Sequence, residues 1–254
     1  MCLIVFSHQQ HPQYPLLVAA NRDEHYQRPA TAADFWPEYP QLMAGRDLEA
    51  GGTWLGITRT RRFAAITNHR NPPTMPEQPR SRGMLTLDFL LGDGSPQDYL
   101  QRIALDSKNY AGFNLLVGDH SALYYYSNIE EKITCLPPGT YGLSNAELGA
   151  AWPKAIRGCN SMEGLIAANE LGLEQLQSTI SRREAEPDSA LPDTGVGIDF
   201  ERLLSPQFIV SPDYGTRACT SLKVDSAGNI AFREALFGPG GVATGAREFE
   251  IEPA

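Results

Sequence analysis

β-rich runs and helical stretches alternate in blocks along this chain, and that order constrains its fold more than any single motif. "CLIVFS" (2–7) and "PLLVAAN" (15–21) flank the turn-like "HQQHPQY", which predicts a hairpin starting at the second residue. A Pro-rich stretch over 28–47 reads as irregular, and "GGTWLGIT" (51–58) with "RFAAITN" (62–68) reads as a second β pair. The loop over 69–83 carries four of the 19 prolines, and loops of this length in compact domains are functional or mobile as a rule. Helical spacing then covers 81–106, broken at "GDG" and restarted by the N-cap and proline of "SPQDYL". Strand, turn and strand follow over 113–128, and 131–145 reads as one more strand ending in a Pro/Gly turn. The longest helix candidates are 152–170 and 173–183, ahead of an acidic, proline-containing linker (184–197). The tail returns to β at 217–225, 230–237 and 247–252. Strands, helices, strands, helices and strands, with no repeat and no break in composition, predict one layered α+β domain with antiparallel sheets over 1–254.

At 254 residues, 42% apolar and 20% charged, the chain has the make-up of a soluble globular protein with a sizeable core. A net charge of −9 argues against nucleic acid or an anionic membrane surface as partner, and "RTRRF" (59–63) reads as a solvated strand edge. "CLIVF" is too short for a signal-peptide core or a bilayer span, so no targeting segment and no stable membrane insertion are expected. Cys2, Cys135, Cys159 and Cys219 lie far apart, without C-x-x-C or clustered histidines. That pattern suits neither a disulfide framework nor a metal site, and the expected compartment is the cytoplasm.

Cys2 on its own reads first as a small apolar residue opening a strand. Once Met1 is removed, however, it carries both a nucleophile and a base. Its α-amine, with a reference pKa of about 7.7–8, accepts a proton near neutrality, and a thiol of about 8.5 needs only local help. The segment "AANRDEHYQRP" (19–29) follows a strand expected to pair with the first. Strand alternation puts Asn21 and Asp23 on one face, Arg22 and Glu24 on the other. A carboxylate at Asp23 would orient the amine and favour its protonated form, whereas a polar strand end turning into solvent would show the same residues. Asn68 closes "FAAITN" and Asn145 closes "TYGLSN"; a carboxamide there can donate to an oxyanion, and asparagine is also common where strands become turns. Arg217, after the turn "DYG", can bind a carboxylate or hold Asp23. Gly51 and Gly52 allow a tight turn, with Trp54 serving packing beside them.

"MCLIVF", "AANRDE" and "GGTWLGIT", followed in order by "ITNHRNP", "SRGMLTLDFL", "FNLLVGD", "YGLSNAELGAAWPK" and "YGTRACTSLKVD", resemble the NRDE (transport and Golgi organization protein 2) family over nearly the whole chain. That family is similar in turn to choloylglycine hydrolases and penicillin V acylases, amino-terminal-nucleophile enzymes with a four-layer αββα sandwich of antiparallel sheets. The resemblance implies that Cys2 is the nucleophile, that Asn21 and Asp23 match R-N-x-D, that Asn68 and Asn145 are oxyanion donors and that Arg217 lies near the nucleophile. The arginine that opens R-N-x-D falls on Ala20, and Arg22 is read as standing at a different strand parity, so the motif's own arginine is not expected beside Cys2. The activity implied is hydrolysis or transfer of a small amide or acyl group, with no cofactor. The alternative it implies is a non-catalytic haem-trafficking or acyl-CoA/lipid-related carrier using the same pocket. Haem needs an axial ligand, and of His8, His11, His25, His69 and His120 the two nearest the motifs are His25 and His69. The ligand-binding set is then Asn21, Arg22, Glu24, His25, Trp54 and His69, with a small molecule as partner.

Overall fold

The computed structural model describes residues 2–253. In chain order the elements begin with β1 (Cys2–His8), β2 (Leu16–His25), β3 (Ala30–Trp36), β4 (Tyr39–Asp47), β5 (Leu55–Thr58) and β6 (Phe63–Asn68). Helices α1 (Arg82–Leu91) and α2 (Pro96–Asp106) follow, then β7 (Phe113–Gly118), β8 (Leu123–Ser127), β9 (Lys132–Cys135) and β10 (Gly139–Leu143). The rest comprises α3 (Pro153–Ala168), α4 (Leu173–Ser178), α5 (Ile198–Leu204), β11 (Tyr214–Val224), β12 (Ile230–Gly238) and β13 (Val242–Ile251). The class is α+β, with two antiparallel sheets of six and seven strands. No helix among the described residues is long and apolar enough to cross a membrane.

The chain divides into two compact units, each built from separated segments. The first contains the chain up to Gln27, Pro138–Ser144 and Leu148–Ile251, and holds the sheet ordered β10-β1-β2-β11-β12-β13. Leu3, Ile4, Val5 and Phe6 are all fully buried, so both faces of β1 are covered. That is why "LIVF" runs apolar without the alternation of a half-exposed strand. Helix α3 packs on β1 and β10, and α4 on β11 and β2. A Cβ at Gly158 would lie 2.5 Å from Val5 Cγ2, so the helices cover the face carrying Leu3 and Val5.

The second unit holds the sheet ordered β3-β4-β5-β6-β7-β8-β9, with α1 and α2 packed on it. Its core gathers Trp36, Leu42, Phe89, Phe113 and Tyr126. The Phe113 ring lies 5.8 Å from Tyr126 and 5.9 Å from Tyr110, centroid to centroid. Helix α2 starts as its sequence predicts, with Ser95 accepting from the Asp98 N–H at 3.1 Å and proline at the first helical turn.

Three expectations change. The stretch 28–47 is a hairpin, β3 and β4, not irregular chain. Its prolines fall where the ladder needs no donor: Pro29 before β3, Pro37 in the turn, and Pro40 between the paired Tyr39 and Leu42. The Pro/Gly turn at 137–139 does not end the β segment, because β9 pairs with β8 in one sheet and β10 with β1 in the other. The helix predicted over 173–183 stops at Ser178. There Ser178, Thr179 and Ser181 turn their hydroxyls onto the carbonyls of Gln175, Leu176 and Ser178, at 2.6, 2.7 and 3.0 Å, in competition with the helix.

The two glycines of "GGTWLG" have different jobs. Gly51 sits at φ +79°, where an L side chain is strained. Gly52 lies against the start of α1, where a Cβ would come within 2.4 Å of the Gly83 carbonyl carbon. Gly52→Ala is expected to destabilise the fold by up to about 3 kcal/mol through overpacking against backbone, and Gly51→Ala by about 1 kcal/mol; urea denaturation of the two variants measures both.

Candidate functional site

Strand β2 runs on to His25, so the Asn-Arg-Asp-Glu segment is part of the ladder rather than a tail beyond it. Its register against β1 pairs Cys2 with Arg22 and Leu3 with Asn21. Paired residues of an antiparallel ladder project to the same face. Cys2 and Arg22 therefore share one face, while Asn21 and Asp23 share the other, the face covered by α3 and α4. The parity predicted for the motif holds, and it has a consequence the sequence reading missed. Ala20 pairs with Ile4, and Arg22, two residues on along the same face, stands directly across from the cysteine. An arginine does lie beside Cys2.

On its other side β2 pairs with β11, and there the ladder carries a bulge between Thr216 and Ala218. Ala218 stands opposite Arg22, so an unbroken register would bring Arg217 opposite Asp23. The bulge brings Thr216 there instead. Thr216, fully buried, donates its hydroxyl proton to Asp23 Oδ1 at 2.7 Å. The ladder thus sets Thr216 rather than Arg217 opposite Asp23: the carboxylate accepts from Thr216, and Arg217 donates to the His25 carbonyl at 3.2 Å. Tyr214 donates to the Asp23 carbonyl at 2.9 Å. Asn21, also fully buried, spends both amide protons on the carbonyls of Ile180 and Gln207, each at 2.8 Å. Glu24 turns back on the His25 N–H at 2.9 Å, and the exposed His25 ring meets Tyr214 edge-on, centroids 5.1 Å apart.

Electrostatics place the sulfur among these groups. Burial, above all, holds the Cys2 thiol pKa above its ordinary value; the Asp23 charge adds to this, while the Asp23 backbone N–H and the Arg22 charge oppose it. Burial likewise raises the Asp23 carboxyl, against the Lys154 charge and the Thr216 hydrogen bond. Burial also pushes the Cys159 thiol up to about 11 and the Cys219 thiol up to about 12.

Residues that sequence reasoning passed over complete this cluster. Ser144 donates its hydroxyl to the Cys2 carbonyl at 3.0 Å. Lys154, buried in the first turn of α3, gives its ammonium to the Leu204 carbonyl at 2.9 Å. Both stand inside "YGLSNAELGAAWPK", and Thr216 inside "YGTRACTSLKVD". A lysine directly after Trp-Pro at a helix start was the one signal available for Lys154; a lone serine or threonine gives none.

The remaining predicted residues lie in the second unit. Asn145 is fully buried, donates its amide to the Asn68 carbonyl at 2.8 Å and accepts from the Arg70 N–H at 2.6 Å. The two asparagines assigned by resemblance to an oxyanion are thus held to each other. His69 is anchored by its backbone N–H on the Gly112 carbonyl at 2.9 Å. Its Nδ1 lies 3.1 Å from the Arg70 carbonyl. Trp54 packs against the apolar core of that unit. Among the described residues no three His, Cys, Asp or Glu side chains cluster as a metal would require.

An α+β protein whose second residue heads a buried strand beside a fixed carboxylate is the class these features define. The family described as Transport and Golgi organisation 2 matches residues 1–239, and the chain belongs to it. It is 37% identical over 262 residues to the Bos taurus Transport and Golgi organization protein 2 homolog, covering 92% of each chain. The Homo sapiens homolog is 37% identical over 256 residues, again with 92% of each covered. The Drosophila melanogaster protein is 27% identical over 263 residues, covering 92% of this chain and 91% of its own. A solved structure similar to the chain is the Caenorhabditis elegans N-acylethanolamine-hydrolyzing acid amidase ortholog, at TM-score 0.48 and 8% identity, covering 71% of this chain and 86% of that one.

Asp23 gives a stability prediction with a definite sign. A carboxyl whose folded pKa lies above its unfolded value binds more protons folded than unfolded between the two, so stability falls as pH rises through that window. Asp23→Asn removes this loss. Its melting temperature relative to the unmodified protein should therefore rise as the pH is raised from the ordinary carboxyl range toward neutrality, as calorimetry across that range would measure.

Proposed function

We propose that this protein is a cysteine hydrolase or acyl-transfer catalyst for a small amide or acyl compound, with Cys2 as nucleophile after removal of Met1. The observation that supports it is the pairing of Cys2 with Arg22, with the Asp23 N–H at the sulfur and the Asp23 carboxylate fixed by Thr216. A thiol whose pKa is raised is largely protonated at neutral pH, so attack needs a base at hand. The freed α-amine is that base. In the first stage the sulfur bonds to the substrate carbonyl carbon while its proton passes to the amine. The ammonium then returns the proton to the leaving nitrogen as the C–N bond breaks, leaving a thioester on Cys2. Water attacks the thioester, its proton going to the amine, and the sulfur departs and takes that proton back. Asp23 orients the amine and stabilises its charged form, and Arg22 stabilises negative charge at the sulfur.

Intact-mass measurement tests the first requirement, and the expected mass lacks one methionine. Incubation with a chloromethyl ketone or β-lactam should then modify the Cys2 peptide, and Cys2→Ser should abolish that adduct. Retained methionine, or an adduct that survives on the Cys2→Ser peptide, sinks the proposal. Cys135 is exposed, so labelling is read on the Cys2 peptide and not on total mass gain.

A second reading, haem carriage, is favoured by one observation. The Arg70 carbonyl can only accept, so His69 Nδ1 carries a proton toward it, the anchoring that makes Nε2 the ligating atom in metal-binding histidines. His69 would hold the haem iron axially, and the group would be cargo with no reaction of its own. Titration with haem is expected to give a Soret shift that His69→Ala abolishes; an unchanged free-haem spectrum ends this reading.

A further inference from the structure

We propose that Thr216, brought opposite Asp23 by the bulge at Arg217, is a positioning residue that keeps the Asp23 carboxylate ionised and aligned toward the start of β1. The inference deepens the hydrolase reading and rests on it for its purpose, though not for its test. Thr216 makes two side-chain hydrogen bonds: Oγ1 accepts from the Ile209 N–H at 2.9 Å and donates to Asp23 Oδ1 at 2.7 Å. A hydroxyl has one proton. The backbone N–H takes one of the oxygen's two lone pairs and orients the hydroxyl, and its proton has its acceptor in Asp23. Such a donor stabilises the carboxylate over the carboxylic acid.

The backbone that orients this hydroxyl is itself fixed. The Thr216 N–H returns to the Ile209 carbonyl at 2.9 Å, closing a two-way clamp between β11 and the segment after α5. That segment is held from three sides. Leu204 accepts from Lys154, the Gln207 carbonyl accepts from Asn21, and Gln207 Nε2 donates to the carbonyls of Lys154 and Thr179 at 2.9 and 3.0 Å. Asn21 and Asp23, two residues apart in the motif, are therefore tied to one strap, 204–209, by different bonds. The bulge is the device that makes this possible, because the regular register would offer Asp23 a long guanidinium side chain in place of a short, clamped hydroxyl.

The titratable and charged groups around Asp23 include the chain's terminal amine and, among the described residues, Cys2 on β1, Glu24 on its own strand, Tyr26 just beyond it, Lys154 on α3 and Cys219 on β11. Each is unchanged in a Thr216 variant, so a shift in Asp23 titration reports the hydroxyl. The experiment is 13C NMR titration of the Asp23 carboxyl carbon, with no substrate present. Thr216→Val, nearly isosteric but without the donor, is expected to raise the Asp23 pKa by about one to two pH units, and Thr216→Ser to keep it within about half a unit. No shift in Thr216→Val, or an equal shift in both, overturns the proposal. Should Thr216→Val not fold, the unmodified protein carries the test. Its Thr216 hydroxyl proton should be protected from exchange and should move with the same midpoint as the Asp23 carbon, and a hydroxyl blind to that midpoint overturns the proposal equally. A retained Met1 would sink the hydrolase reading and leave the titration result intact, so the two failures are told apart.

Discussion

One register decides what this chain presents to chemistry: the antiparallel pairing of β1, β2 and β11. A slip of one residue between β1 and β2 would replace Arg22 by Asn21 or Asp23 opposite Cys2 and turn the whole motif to the other face. The register is held from both ends. At one end the apolar runs "LIVF" and "LLVAA" are buried on both faces, so any slip breaks packed contacts along the whole strand. At the other, Ser144 and Thr216 bond to groups of Cys2 and Asp23 that only this pairing supplies. The bulge then does locally what a slip would do globally: it exchanges one opposing residue for another without disturbing the pairing beyond it.

This arrangement is expensive in free energy, which bears on its meaning. Asp23 is 1% exposed and Asn21 fully buried, on strands otherwise suited to an apolar core. Asn21 spends its two amide protons well, yet its Oδ1 has no hydrogen-bond partner among the described residues, a loss of about 1–3 kcal/mol in a dry site. Burial also pushes the Asp23 carboxyl toward its neutral form, against the Thr216 bond and the Lys154 charge. Leucine or valine at these positions would make a more stable sheet. A sheet that keeps a buried carboxylate, a buried carboxamide and a buried ammonium within a few residues of one strand end is built for something other than stability.

Much of this was legible in the sequence, and the parts that were not have physical reasons. The opening hairpin, the pair α1–α2 and the face shared by Asn21 and Asp23 follow from periodicity and capping, which are local. Arg22 was misjudged because the reading looked for an arginine at Ala20, whereas proximity to Cys2 is set by the pairing partner two residues along the same face. That Thr216 stands opposite Asp23 was not legible because a bulge leaves no mark in a single sequence; one extra residue in "YGTRACTS" looks like any other. The hairpin over 28–47 hid behind its prolines, which sit where the ladder has no need of them. Asn68 and Asn145 were singled out as strand-end carboxamides, and the structure ties them together by a bond between residues 77 apart, a distance no local pattern spans.

The hydrolase reading turns on one electrostatic fact at Cys2. Surroundings that raise a thiol pKa make a weak nucleophile of any cysteine that must ionise unaided. With its own amine freed, the same residue acquires a base that needs no positioning by distant parts of the fold, and the raised pKa ceases to matter because the proton leaves during attack. With the amine still in peptide linkage, the thiol has no such base, and its raised pKa keeps it a weak nucleophile. The fold is compatible with either outcome, since neither changes the ladder that places the sulfur. One peptide bond, that between Met1 and Cys2, decides whether the proposed nucleophile has its base.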